Sequence, residues 1–182
     1  LGLVTGIVGG LVVGVIGDPE PAKLLQTFKS YASRALNREF ETPESGTWRT
    51  SSGSTRKLGD DAAVLRPPPD AELVVAMDTL NEGVHFPPGT VAADVGWKAL
   101  AVNLSDLAAM GAEAAWCTLS LSLPDGDEAW VGGFLEGFLA LAAEHRVALV
   151  GGDTTRGPLS VCVTVHGFVD AGRALRRDGA RA

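Results

Sequence analysis

The stretch 42–56, TPESGTWRTSSGSTR, consists of polar and turn-forming residues around one large apolar side chain, Trp48. Such a composition builds a loop with no core of its own. It therefore divides the chain, and whatever core forms must come mainly from Leu58 onward. Charge follows the same division. Residues 1–56 carry six basic and five acidic side chains, and residues 57–182 carry nine and seventeen. The overall charge of −7 argues against a phosphate-backbone binder, so no nucleic acid partner is expected. With 46% apolar and 20% charged residues the chain is a soluble globular type rather than a disordered one. Cys117 and Cys162 make neither a disulfide framework nor a zinc site, and they fit a reducing, cytoplasmic compartment.

Before the break lie two dissimilar pieces. Residues 1–17, LGLVTGIVGGLVVGVIG, are apolar and uncharged. The run is slightly short of the roughly 20 residues a membrane span needs. It also lacks a basic start and a small-residue cleavage site. Gly2, Gly6, Gly9, Gly10, Gly14 and Gly17 weaken a helix in water, although closely spaced glycine suits packing in lipid. A membrane-derived remnant, a buried hairpin and disorder all remain open, and association of the protein with a membrane is not expected. Asp18-Pro19-Glu20-Pro21 is a breaker. The spacing of Leu24, Leu25, Phe28, Tyr31, Ala32, Ala35 and Leu36 then predicts a helix over 22–40.

After the break the pattern is that of a folded domain. Short apolar runs at 62–65 and 73–77 flank Pro67-Pro68-Pro69 and predict strands. Residues 91–110 predict a helix ended by Gly111, with Trp97, Leu100, Ala101, Leu104, Leu107 and Ala108 on one face. Residues 115–123 alternate between Leu119, Leu121 and Leu123 on one side and Thr118, Ser120 and Ser122 on the other, a half-buried strand. Pro124-Asp125-Gly126 is a turn, and Asp127 is placed to cap a helix running to about Glu144. A strand at 147–150, a loop at 151–158 and a strand at 159–169 complete the order β-β-α-β-α-β-β. That order predicts an α+β fold, a mixed sheet with helices packed on one face.

Two features exceed what a fold alone requires. Asp60, Asp61, Asp78, Asp106 and Asp153 stand near expected element ends. Asp106 interrupts an apolar helix three residues after Asn103, so the two share a face. Carboxylates without a His/Cys cluster suit Mg²⁺, which takes one or two carboxylates per ion plus water and phosphate oxygens. Each Asp could equally be a cap or turn residue. The second feature is Gly151-Gly152-Asp153-Thr154-Thr155-Arg156-Gly157. Its glycines allow close approach of an anion, and its hydroxyls and Arg156 add donors. A tight strand-to-strand turn explains it equally well. His85, in the Gly/Pro-rich stretch NEGVHFPPG, is a candidate binding residue. His145 ends a helix and His166 alternates with valines, so both read as structural, as do the two cysteines.

GDDAAVL (59–65), MDTLNEGVHF (77–86), WKALAVNLSDLAAMGAEAAW (97–116), LVGGDTTRGPLS (149–160) and HGFVDAGRALRRDGA (166–180) together resemble the thiamine-monophosphate kinases. These belong to the superfamily of AIR synthetase and selenophosphate synthetase. The resemblance implies an AIR synthetase N-terminal-domain-like sheet over 57–170. It implies ATP-dependent phosphorylation of thiamine monophosphate to thiamine diphosphate by direct, Mg²⁺-assisted transfer, with no catalytic side chain assigned. By the family pattern Asp61, Asp78, Asp106 and Asp153 hold Mg²⁺, with Met77 contributing a backbone carbonyl where the family often has Thr. Gly152, Asp153 and Arg177 match ATP-contacting positions, and His85 matches a substrate-contacting one. A homodimer through the sheet is implied.

Departures from the family set further expectations. Lys57-Leu58-Gly59-Asp60-Asp61 stands where the family has GIGDD. Residues 171–182 correspond to the start of a second domain that this sequence does not include, so truncation is expected to impair activity. The alternative is an inactive kinase-fold remnant that only binds nucleotide or dimerises. Residues 23–57 resemble a segment of REP-associated transposases without their HUH-type and Tyr motifs. Residues 1–56 are accordingly expected to be a foreign or poorly ordered leader.

Overall fold

The computed structural model describes residues 3–8, 11–16, 47–49, 55–57 and 63–179. Eight strands are present among them: β1 (Leu3–Val8), β2 (Leu11–Ile16), β3 (Thr47–Arg49), β4 (Thr55–Lys57), β5 (Ala71–Asn81), β6 (Glu113–Leu123), β7 (Ala148–Arg156) and β8 (Ser160–Asp170). Two α-helices, α1 (Ala92–Ala109) and α2 (Glu128–Glu144), and a 3₁₀ turn at Arg177–Gly179 complete the set. The main sheet has the order β1-β2-β7-β6-β8-β5, while β3 and β4 form a separate antiparallel pair. β8 runs antiparallel to both its neighbours, and β6 and β7 are parallel. This is the mixed sheet of the expected α+β fold.

Alternation builds the two faces. Leu119, Leu121 and Leu123 of β6 and Val161, Val163 and Val165 of β8 are buried beneath the helices. α1 lies over β5 and β8, and α2 lies over β7. The opposite face carries Thr118, Ser120 and Ser122 of β6 beside Thr164, Cys162 and Ser160 of β8. At one end of that face Trp116, Ala148 and Val150 make a second small core, with Phe168 edge-on to Trp116 at 5.0 Å.

The helices meet unusually closely. A Cβ added at Gly96 would overlap the Phe134 carbonyl oxygen, and one at Gly137 would overlap the Ala93 carbonyl oxygen. Only hydrogen at these Cα atoms lets the backbones approach. α1 ends in a Schellman motif: Ala112 N–H donates to Leu107 O at 2.9 Å and Gly111 N–H to Ala108 O at 2.9 Å, with Gly111 at φ +71°. α2 begins at Asp127, whose carboxylate accepts from the Ala129 and Trp130 amides. It ends in the same Schellman pattern, but Arg146 occupies the left-handed position at φ +55°.

Several expectations change. Residues 63–68 are irregular rather than a strand, because the prolines that follow lack ladder donors. Ala63 and Leu65 pack on the Trp116 core instead. The strand expected at 73–77 extends over Ala71–Asn81, paired along its whole length with β8. The segment expected as a loop at 151–158 continues β7 to Arg156, because β6 offers it partners as far as Leu123. In the apolar start, β1 and β2 form an antiparallel hairpin, and β2 adds to the edge of β7 through Leu11–Val13. The helix expected at 22–40 lies outside the described residues.

Two substitutions probe these backbone features. Gly137→Ala should destabilise by about 2–3 kcal/mol through overpacking, although alanine is the better helix former. Arg146→Gly should stabilise by about 1 kcal/mol by relieving the left-handed residue. The exposed Arg146–Glu113 pair, at 3.9 Å, gives little back. Urea denaturation measures both, and a Gly137→Ala variant as stable as the parent would refute the close-contact account.

Candidate functional site

The long β5–β8–β6–β7 ladder sets the spacing of the candidate carboxylates. Asp78 pairs with Val163, Val163 with Leu119, and Leu119 with Gly152. Asp78 and Gly152 therefore share one row three strand spacings apart, roughly 14 Å. Parity separates the acids as well. Asp78 has the register of Ala76 and Leu80 on the helix side, whereas Asp153 pairs with Ser120 on the open side. One ion cannot be held directly by both. Both acids also lie within strands rather than just beyond them, because their ladders continue past them.

Asp106 is exposed near the end of α1, on the helix side of the sheet with Asp78. One turn earlier Asn103 is fully buried. Its Nδ2 donates to Ala99 O at 2.9 Å, and its Oδ1 has no partner. Met77 shows its side chain on the open face, 62% exposed, so its expected role falls to its backbone carbonyl. Asp60 and Asp61 lie outside the described residues. Among the described residues no cluster of three or more His, Cys, Asp or Glu side chains is placed to hold a metal ion. Dispersed carboxylates nonetheless suit Mg²⁺, which draws its remaining ligands from water and phosphate.

His85 belongs to a stiff turn between β5 and α1. Gly83, at φ +77°, donates to Phe86 O at 2.8 Å, and the His85 amide donates to Asn81 O at 2.9 Å. Phe86 plugs the turn into the core. The His85 ring accepts the Asn81 N–H at Nδ1, 3.0 Å, and the Lys98 ammonium donates to the His85 carbonyl. Sequence reasoning missed Lys98. Its position on the exposed side of α1, one turn after Asp94, carries no pattern that would single it out. Beside this turn a groove of about 370 Å³ runs between Glu82, Phe86 and Thr90 and the start of α2 at Asp127 and Trp130.

Gly152 has φ +153°, a backbone conformation few other residues adopt. Arg177 follows β8, whose end pairs with the start of β5. The chain after β8 folds back so that Leu175 N–H donates to Met110 O at 2.9 Å, and Arg176 pairs with Asp178 at 3.1 Å. His85 follows the opposite end of β5, an eleven-residue strand about 34 Å long. The structure thus keeps Asp78 and Asp106 on one side of the sheet. It does not bring His85, Asp153 and Arg177 to one point.

The cysteines are not nucleophiles in waiting. Both described thiols are free, and burial pushes Cys117 up to about 12. His166 faces the open side between Val75 and Trp116, and its pKa is lowered by loss of solvent, partly offset by a hydrogen bond to the Trp116 backbone.

The mixed sheet with two helices on one face defines an α+β domain. Residues 59–169 match the family described as AIR synthase related protein, N-terminal domain, and the chain belongs to that family. Over 124 residues it is 52% identical to thiamine-monophosphate kinase of Salmonella typhimurium and 54% identical to that of Escherichia coli K12. Each alignment covers 68% of this chain and 38% of the relative, so the chain spans well under half the length of these curated proteins. The crystal structure of thiamine-monophosphate kinase from Stenotrophomonas maltophilia K279a superimposes with a TM-score of 0.71 at 53% identity, covering 85% of this chain and 45% of that one. AaThiL complexed with AMPPCP and TMP gives 0.59 at 34% identity, over 68% of this chain and 40% of that one.

The lowered pKa of His166 yields a pH prediction. The unfolded chain binds this proton more tightly than the folded one. Stability should therefore be complete above the ordinary imidazole value of 6.5 and fall as pH drops toward the lowered folded value. As pH falls through this window the urea midpoint of the parent should drop relative to that of His166→Phe. Parallel profiles would refute it.

Proposed function

We propose that this domain is the nucleotide- and metal-binding part of an enzyme that transfers the γ-phosphoryl group of ATP to thiamine monophosphate. The observation that carries this reading is the 52–54% identity to thiamine-monophosphate kinases over 124 residues, together with the family match over 59–169, which includes Asp78, His85, Asp106 and Asp153. AaThiL, complexed with AMPPCP and TMP, supports the same pair of ligands. Phosphoryl transfer is served mainly by positioning and charge neutralisation. Acids on a rigid sheet suit that demand, and the buried Cys117 thiol has no part in it.

In this reading Asp78 and Asp106 would hold Mg²⁺ on the helix side, with the Met77 carbonyl, Asp61 would serve as a further ligand, and Asp153 would hold a separate ion. Bound Mg²⁺ would neutralise charge on the phosphate oxygens. The roughly 14 Å across the sheet from Asp78 to Gly152, the neighbour of Asp153, favours separate ions over one shared ion. Gly152 and Arg177 would contact ATP, and His85 would contact thiamine monophosphate. Leu73, Val75 and Met77, each more than half exposed on one face of β5, supply an apolar stripe for a homodimer through the sheet. No helix among the described residues is long and apolar enough to cross a membrane. ATP as co-substrate and two free thiols fit the cytoplasm.

A second reading, nucleotide binding without turnover, is favoured by one observation: His85 and Arg177 lie at opposite ends of the sheet within one chain. Formation of thiamine diphosphate by the 182-residue protein separates the two readings.

Titration calorimetry with ATP should show binding in Mg²⁺ that is lost in excess EDTA. Asp78→Asn and Asp153→Asn should each weaken it at least about tenfold, since each removes a direct ligand of an ion. Equal ATP affinity with and without EDTA would overturn the metal-bridged reading.

A further inference from the structure

We propose that Lys98 is a positioning residue, which with the Asn81 amide holds His85 as a neutral ring whose Nε2–H faces the substrate. This rests on the reading of His85 as the thiamine monophosphate contact. A backbone N–H can only donate, so the 3.0 Å bond from Asn81 to Nδ1 requires that nitrogen to be unprotonated. The ring proton of the neutral imidazole then lies on Nε2, the nitrogen left for a ligand.

Three backbone amides of the turn are bonded within it. The amides of Gly83, Val84 and His85 are bonded to Phe86 O or Asn81 O, and Glu82 N–H reaches Leu159 O at 3.3 Å. Lys98 bonds the His85 carbonyl from outside the turn, thirteen residues along the chain. Its own position is firm. It lies two residues after Gly96, where α1 presses on the Phe134 backbone, and its neighbours Ala99 and Leu100 are buried. Lys98 thus refers His85 to the same helix that carries Asp106, so substrate contact and metal carboxylate keep a fixed relation.

The test uses the whole 182-residue chain labelled with ¹⁵N. Long-range ¹H–¹⁵N spectra of His85 should show a single Nε2–H tautomer at pH 8. In Lys98→Met the tautomers should mix, the Val84 and His85 amides should exchange on the order of fivefold faster, and thiamine monophosphate should bind on the order of fivefold more weakly. Lys98→Arg, which keeps a donor, should restore all three. His85→Ala should bind thiamine monophosphate more weakly than Lys98→Met does. An Nδ1–H tautomer in the parent, or Lys98→Met matching the parent in tautomer and exchange while His85→Ala loses affinity, overturns the positioning role alone. Undiminished binding by His85→Ala overturns the reading of His85 as a contact, and this inference with it.

Discussion

The approach of α1 to α2 at two glycines governs where nearly everything else lies. Gly96 against Phe134 and Gly137 against Ala93 put backbone on backbone, which fixes the helix separation at a value no side chain permits. With α2 docked over β7 and α1 locked to α2, α1 can only cover β8 and β5. That choice sets Leu107 against Gly167, brings Asp106 to the side of the sheet that Asp78 occupies, and aims Lys98 at the turn after β5. Interiors packed at this density respond to small changes by shifting whole elements. The helix pair is therefore the reference frame of the candidate site.

Much of this architecture was legible in the residues. The Leu/Ser alternation of β6, the cap at Asp127 and the stop at Gly111 each state their structure locally, and each is found where expected. Where the reading differed, a distant partner decided. Gly-Gly-Asp-Thr-Thr has the composition of a turn, yet β6 and β2 flank it, and the ladders turn it into strand. The run 62–65 has the composition of a strand, yet the prolines behind it remove donors, and Leu65 serves as a plug for Trp116.

The candidate site was legible in its residue types but not in its spacing. Asp78 and Asp153 look equivalent in the sequence, each following an apolar run. Their opposite parity depends on register, and the register depends on a bulge at Val150 and another near Ala115. Gly96 and Gly137 likewise look like any helix-weakening glycine until the facing backbone is known. The acidic surplus after residue 57 also becomes more specific. It belongs to a domain whose family relatives include AaThiL complexed with AMPPCP and TMP, two anionic ligands.

The pairing of β5 with β8 carries a consequence for how the protein is made. Asn81 waits for Ser160 and Ala71 for Asp170, partners that leave the ribosome roughly eighty to a hundred residues later. At ordinary elongation rates that is an interval of roughly 4–20 s. During it α1, β6, α2 and β7 can assemble, because their contacts close within shorter spans of chain. β5, bearing Asp78 and leading into His85, is the strand left over, apolar on both faces and without its ladder. Synthesis of β8 is thus the event that gives β5 its ladder.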